Sequence, residues 1–257
     1  MSFFCNSYPI TEKSEIAQGI FSYVIHCPEP ASAARAGQFV HIQTDGFTLR
    51  RPISICEVDQ DLLRIVFEVR GAGTERLSQL NVGGEINMIA PLGNGFTIKD
   101  IPHDKTVIVV GGGIGVPPML QTAKSFPNNR VKAVIGFRSR GKVILEDDFK
   151  RIGADLSVCT DDGSYGEKGL VTFPLIEELE KGRTAMIYAC GPTPMLKAII
   201  NTAKTYNVPC EVSLEQRMAC GVGACVGCVV NINRGGRSFV LRVCKDGPVF
   251  KAEEVVL

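Results

Sequence analysis

Neither sign of charge dominates this sequence: 28 lysines and arginines stand against 27 aspartates and glutamates, for a net charge of +1, with only 3 histidines. Nucleic acid or an anionic membrane as a partner needs a concentrated basic footprint, and none is visible. Long hydrophobic runs are missing too. No window approaches the roughly 18 uncharged apolar residues that suggest a membrane span. The opening MSFFCNSYPITEKSEIAQ lacks the basic stretch and apolar run of a secretory signal. The expected location is therefore the cytoplasm, where thiols stay reduced and cysteines read as metal ligands or free thiols before they read as disulfides.

What is abundant is glycine, 27 residues, and cysteine, 10, in a chain of 257 that can hold two ordinary domains and a small module. Residues 1–100 carry short β-rich runs between turn residues: FSYVIHC, GQFVHIQT, RPISICEV, LLRIVFEVR and EINMIAPLG. That spacing predicts an antiparallel barrel or sandwich. GTERLSQL reads as a short helix among them. Polar residues and a proline at Asp100–Lys105 mark a boundary.

Beyond it the period changes. TVIVVGGG is a buried strand running into glycines, and VPPMLQTAKSF begins a helix with proline. VKAVIGFRS, ADLSVCTDDGS, LVTFPLIEELEKG, TAMIYACGP and PMLKAIINTAKTY continue the alternation, the pattern of a parallel sheet covered by helices. The reading is a multidomain α/β plus β protein: a β-barrel over 1–100, an α/β domain over 101–208, and a module over 209–257. That last segment is too short for an apolar core of its own, so its four cysteines are expected to organise it.

In RMACGVGACVGCVV, Cys220, Cys225 and Cys228 follow a C-x4-C-x2-C spacing, and Cys244 closes the set. Thiolates are soft ligands for iron or zinc, and this is the spacing of a plant-type [2Fe-2S] centre. Gly221, Gly223, Ala224 and Gly227 let backbone N–H groups approach the sulfurs. A zinc ribbon more often pairs two CxxC knuckles, and only one is present. Zinc or buried free thiols are the competing readings. Cys5, Cys27, Cys56, Cys159, Cys190 and Cys210 lack such a pattern and read mostly as small buried hydrophobes.

Four other motifs are weaker on the residues alone. In RRPISI, Arg51 can offer a charged fork to a pyrophosphate, Pro52 fixes the backbone, and Ser54 can hydrogen-bond a ring heteroatom. Gly71, Gly73 and Thr74 make a second candidate anion site. A purely structural turn fits these residues as well. Gly111, Gly112, Gly113 and Gly115 follow an apolar strand and precede a helix, although GxGxxG is not met because Val116 occupies the third position. Cys190, Gly191 and Pro192 lie at the carboxyl edge of the same expected sheet. Arg138 and Arg140 lean toward a 2′-phosphate, while Asp161 and Asp162 suit a ribose or a turn cap.

Taken together, RPIS, GAGT, GGGIGVPP and CGPTPM resemble the ferredoxin-NADP reductase superfamily. The resemblance implies a barrel that holds FAD and an α/β domain that receives a nicotinamide nucleotide. Arg51, Pro52, Ile53 and Ser54 would then line the flavin, Val66, Phe67 and Glu68 would run beside it, and Gly73 with Thr74 would bind its pyrophosphate. Cys190 would help position the nicotinamide. With the C-terminal cysteine set, the whole chain resembles the electron-transfer subunits of NAD-dependent bacterial dihydroorotate dehydrogenase.

That resemblance implies FAD and a [2Fe-2S] cluster as cofactors, NAD as a mobile substrate, and a role in pyrimidine biosynthesis. It also implies a partner subunit that carries FMN and oxidises dihydroorotate, in an assembly with two copies of each. Flavin would join hydride transfer to single-electron transfer. Arg217, Met218, Val222 and Val226 flank the ligands as candidate docking residues. The small subunit of NADH-dependent ferredoxin:NADP oxidoreductase, or of a related sulfide dehydrogenase, shares the motif order and is the alternative. A zinc-stabilised binding or redox-sensing module is a remoter one.

Overall fold

The computed structural model describes residues 3–257. Strands β1 (Phe4–Ala17), β2 (Ile20–His26), β3 (Phe39–Ile42), β4 (Arg51–Asp59), β5 (Leu62–Glu68) and β6 (Glu85–Leu92) close a barrel in the order β1-β2-β5-β4-β3-β6. Its interior is filled by alternate residues such as Tyr23, Ile25, Ile55, Leu63, Ile65 and Ile86, each buried. The predicted helix is α2 (Ala72–Ser78), and α1 (Pro28–Ala33) precedes it. Both α1 and β1 were unforeseen. In β1 only Tyr8 and Ile10 are buried, so its sequence shows little alternation, and it is a strand because closure pairs it with β2 and β6.

The second unit runs β7 (Thr106–Gly112), α3 (Pro117–Lys124), β8 (Arg130–Phe137), α4 (Glu146–Arg151), β9 (Asp155–Thr160), β10 (Glu167–Lys168), α5 (Thr172–Glu180), β11 (Thr184–Cys190) and α6 (Thr193–Thr205). Every residue of β7 is buried because both faces of the sheet are covered. Ile108 and Val110 enter one core, and Val107 and Val109 the other. This is why TVIVV shows no alternation.

The remainder contains β12 (Cys210–Ser213), β13 (Val229–Arg234), β14 (Arg237–Arg242) and β15 (Val249–Lys251). Here the architecture departs from the division at residue 208. β12 pairs in parallel with β11, and β15 pairs antiparallel with β12, completing a seven-stranded sheet in the order β10-β9-β8-β7-β11-β12-β15. Cys228, Ile232, Val243, Cys244 and Phe250 share one apolar core with Leu175, Ile187 and Ile199. Residues 209–257 therefore borrow the core of the α/β unit instead of relying on their cysteines alone. Only β13 and β14 form a separate two-stranded sheet.

Ion pairs fasten the barrel to the α/β unit. Arg64 on β5 reaches Asp148 on α4 at 2.7 Å and Glu57 on β4 at 3.5 Å, and Glu57 also takes Lys124 on α3 at 2.7 Å. Asp148 and Arg64 are 13% and 18% exposed, which limits screening by water. Asp148→Ala is expected to cost about 1.5–3 kcal/mol, the range for a hydrogen bond between charged groups. A lowered urea midpoint checks this, and a midpoint equal to wild type would show that the network contributes nothing.

Candidate functional site

The RPIS run begins β4, and its two arginines are used differently. Arg50 Nη2 donates to Asn87 Oδ1 at 2.8 Å and Nη1 donates to the His41 carbonyl at 3.2 Å, so it braces the barrel. Arg51 stacks over the Phe47 ring, 4.9 Å from its centroid, and donates to the Leu49 carbonyl. Its guanidinium occupies the space a side chain at Gly73 would need. The absence of a side chain at Gly73 thus lets the two candidate flavin motifs meet in this arrangement. Pro52, Ile53 and Ser54 follow in β4, all half-buried.

Around Gly73, Thr74 closes its own loop. Its hydroxyl accepts from the Arg70 and Gly71 N–H groups at 2.9 and 3.2 Å and donates to the Gly71 carbonyl at 3.0 Å. Val66 and Phe67 are buried, and Phe67 stands edge-on to Tyr23 with centroids 5.2 Å apart, so neither side chain is offered to a ligand. The β4–β5 ladder ends at Ile55–Ile65, whereas β2 stays paired with β5 out to Glu68. One edge of residues 66–68 is thus left without a β4 partner. Glu68 itself pairs with Arg70 at 3.1 Å and Lys142 at 3.2 Å. Burial opposes its charge, but those hydrogen bonds hold the carboxyl below its usual range.

At the carboxyl edge of the sheet, the glycines after β7 divide by role. A side chain on Gly111 would strike Val116, one on Gly112 would strike Met195, and one on Gly115 would come within 2.5 Å of the Cys190 carbonyl oxygen. Gly111 lets the β7 turn close on the start of α3, and Gly112 and Gly115 let it pack against the β11–α6 turn, where Gly191 and Pro192 lie. Gly113 differs: it has φ +55° and nothing within 4 Å of a side-chain position. It is the glycine of this turn whose side-chain position faces open space. Burial pushes the Cys190 thiol up to about 12, with the Ser213 hydroxyl working the other way, so it is neutral at physiological pH.

The TDDGS aspartates separate similarly. Asp162 Oδ1 accepts from the Ser164 N–H at 2.9 Å and its hydroxyl at 2.6 Å, which lowers its carboxyl below the usual range and commits it to capping the turn. Asp161 is exposed. Arg140 lies over the Tyr165 ring, 5.6 Å from its centroid, and Arg138 is exposed on the same rim.

The four cysteines of the C-terminal set stand as two pairs. Cys220 Sγ accepts N–H groups from Ala224 at 3.3 Å and Cys225 at 3.4 Å. Burial opposes the thiolate, but the backbone donors, led by Cys225 and Val222, bring Cys220 down to about 6. Cys228 and Cys244 are both 2% exposed, and the Cys244 N–H donates to Cys228 Sγ at 3.4 Å. Burial, and then the neighbouring Cys228, push Cys244 up to about 12. Among the described residues no three His, Cys, Asp or Glu side chains gather around one point. Two cysteine pairs with N–H groups aimed at sulfur suit a binuclear cluster, in which two protein sulfurs serve each iron. The donor set fits the group.

The three regions converge. Ser213 is the ladder neighbour of Cys190, and Glu215 reaches Arg70 of the flavin loop at 3.6 Å. Gly221 packs on His41 of β3. Burial, then the charge of Arg50, lower His41 to about 4, leaving its ring neutral. His41, Ser213, Glu215 and Asn94 were not foreseen as site residues, since each joins a motif only through the fold. Of the expected docking residues, Arg217 and Val226 are exposed, whereas Met218 and Val222 pack against the core. Val226 at 60%, Val240 at 66% and Phe239 at 42% exposure, with Val229, are among the apolar side chains this end of the molecule presents to solvent.

Two family models match. Residues 215–256 fit the iron-sulfur cluster binding domain of dihydroorotate dehydrogenase B, and residues 109–201 fit the oxidoreductase NAD-binding domain. A structure of the NADH-dependent reduced ferredoxin-NADP oxidoreductase is 34% identical with a TM-score of 0.84, covering 97% of this chain and 89% of that one. A cytochrome P450 reductase from Amycolatopsis, 21% identical with a TM-score of 0.69 over 79% of this chain and 66% of that one, shares the fold. The dihydroorotate dehydrogenase B (NAD(+)) electron transfer subunit of Geobacillus kaustophilus is 42% identical over 86% of each chain. That of Shouchella clausii is 38% identical over 96% of each. With identity at this level along nearly the whole of both chains, this protein belongs to the family of dihydroorotate dehydrogenase B electron transfer subunits.

Proposed function

We propose that residues 1–100 hold FAD, residues 101–208 receive NAD, and residues 209–257 carry a [2Fe-2S] cluster on Cys220, Cys225, Cys228 and Cys244. The chain would pass electrons from a dihydroorotate-oxidising partner to NAD⁺. The supporting observation is the convergence of the three regions: Cys190 beside Ser213, Glu215 on Arg70, and Gly221 on His41. When bound, FAD exchanges hydride for single electrons and the cluster carries electrons singly.

The chain's own residues bind and orient. Arg51 sets a guanidinium over Gly73, where it can neutralise a pyrophosphate, and Thr74 keeps that loop closed around it. The open backbone edge of Val66, Phe67 and Glu68, with Ser54 opposite, offers hydrogen bonds to a flat heterocycle. Gly113 leaves room for a dinucleotide phosphate, while Gly111, Gly112, Gly115, Gly191 and Pro192 shape the crevice around it. Cys190 presents a neutral thiol, which can position a nicotinamide without attacking it. Asp161 is the free carboxylate for a ribose, and Asp162 shapes its turn. Backbone N–H groups stabilise Cys220 as a thiolate before metal arrives.

The partner would be an FMN-containing catalytic subunit, with two copies of each chain assembled in the cytoplasm. Among the described residues no helix is long and apolar enough to cross a membrane. Exposed Arg217, Val226 and Val240 offer a partly apolar docking face near the ligands. A second reading, the small subunit of a ferredoxin:NADP oxidoreductase, is favoured by the 34% identity to that structure and by the exposed Arg138 and Arg140. Anaerobic mixing with the co-purified partner separates the two readings. Dihydroorotate should bleach flavin and cluster absorbance, and NAD⁺ should reverse it. Bleaching by NADH or NADPH but not by dihydroorotate would overturn the pyrimidine assignment.

A further inference from the structure

Two barrel residues with no part in the flavin or nucleotide motifs stand on either side of the cysteine set. His41 is fully buried, and neither ring nitrogen meets a hydrogen-bond partner in favourable geometry among the described residues. Its ladder partner is Pro52 of the RPIS run. Its ring lies against Gly221, the residue after Cys220: a side chain there would run into Nδ1 and come within 2.9 Å of Cε1. Gly221 has φ +72°, a conformation glycine adopts without strain.

On the opposite side is Asn94, just beyond β6. Its Nδ2 donates to the carbonyls of Lys245 at 3.2 Å and Asp246 at 3.0 Å, and its backbone N–H donates to Gly247 at 2.6 Å. Lys245 is the residue after Cys244. The first and last members of the ligand set are therefore each held, one residue downstream, by the barrel.

Packing alone is a poor account of this pattern. A leucine would fill the His41 site without burying two polar ring nitrogens, which lie near the Arg50 and Cys220 backbones without well-formed hydrogen bonds, and burying such atoms is costly. The Asn94 amide directs donors at two successive loop carbonyls, an arrangement that fixes direction as well as distance. The chain enters the cluster segment from β12, on the far side of the α/β unit from the barrel in sequence. Phe39 and Leu92 of the barrel also share an apolar core with Cys228 and Cys244, but apolar packing is non-directional, whereas the His41 and Asn94 contacts fix register at the two ends of the set, and reaction rates fall steeply when reacting centres are misplaced.

We propose that His41 and Asn94 are positioning residues that register the cluster loop on the flavin barrel, one at each end of the ligand set. The inference rests on the flavin and cluster assignments above. In this arrangement electrons released by NADH oxidation reach the cluster at a rate governed by the barrel's own geometry.

The test uses the full chain loaded with FAD and cluster, mixed anaerobically with NADH, with flavin and cluster bleaching followed separately. Dithionite-reduced samples give the cluster content and its electron paramagnetic resonance spectrum independently of NADH. Asn94→Ala and His41→Ala should bleach flavin within about twofold of wild type yet reduce the cluster at least tenfold more slowly. Asn94→Asp should be as slow as Asn94→Ala, because a carboxylate cannot donate to two carbonyls. Gly221→Ala should also be slow, because the His41 ring and the φ of +72° both resist a side chain there.

Unchanged cluster reduction at full cluster content overturns the proposal. So does a parallel fall in flavin bleaching and cluster reduction, which would mean the residues only support the fold. If His41→Ala fails to retain its cluster, the Asn94 pair decides, since Asn94 is exposed and its replacement leaves the barrel core intact. Wild-type protein without flavin or iron would overturn the cofactor assignments and not the clamp.

Discussion

Cys228→Ser is expected to remove the cluster while leaving the flavin in place. Cys228 immediately precedes β13, is 2% exposed, and accepts the Cys244 N–H at 3.4 Å. A serine there has similar shape, but its hard, weakly acidic oxygen is a poor substitute for a soft thiolate. Iron and sulfide content should fall below about a tenth of wild type, and the reduced-cluster resonance should disappear with it. FAD should remain, because its motifs lie in the barrel. NADH should still reduce ferricyanide through the flavin, while transfer through the cluster falls about a hundredfold or more.

The control is Cys56→Ser. Cys56 is also fully buried, and burial pushes its thiol up to about 12, but it lies outside the ligand set. That variant should keep its cluster and lose about 1–3 kcal/mol of stability from burying a hydroxyl. A full cluster in Cys228→Ser, or a lost one in Cys56→Ser, would break the ligand assignment.

Arg51→Ala should weaken FAD binding by roughly 10- to 150-fold, the equivalent of about 1.5–3 kcal/mol for a charge-assisted hydrogen bond. The case is geometric. Arg51 stacks on Phe47 with its guanidinium over Gly73, whereas Arg50 is spent on Asn87 and the His41 carbonyl. Arg51→Lys should recover only part of the affinity, since the ammonium restores charge without the planar fork. Arg50→Ala should lower stability more than affinity. FAD titration of the deflavinated protein, followed by flavin fluorescence, measures both. Equal FAD affinity in Arg51→Ala and wild type would mean that Arg51 merely packs on the aromatic ring.

Several features were readable before any coordinates because they are local. Strand alternation in residues 20–92, the β–α succession from Thr106 onward and the Cys220–Cys228 spacing each depend on near neighbours, and each appears in the fold. β1 was invisible because its partners, not its own pattern, make it a strand. α4 was missed for a related reason: only Phe149 of its six residues is buried, so it has no apolar period to detect.

The roles of individual site residues were less legible. Four glycines in GGGIG look alike in one dimension, yet three are needed for packing and Gly113 alone faces open space. Phe67 and Glu68 are adjacent, but the pleat sends one into the core and the other to Arg70 and Lys142. His41 carries no motif at all. Its position depends on a loop reached only after the chain has passed through another domain.

By itself, then, the sequence determined the barrel followed by a parallel sheet and the family to which the chain belongs, and it marked the four cysteines as candidate ligands. Those follow from spacing and periodicity, which are set by backbone geometry within a few residues. Only the tertiary structure decided that residues 209–257 share the α/β sheet through β12 and β15. Only it could place His41 and Asn94 at the two ends of the cluster loop. Contacts between residues far apart in the chain depend on how whole faces are buried together, and no local pattern records that.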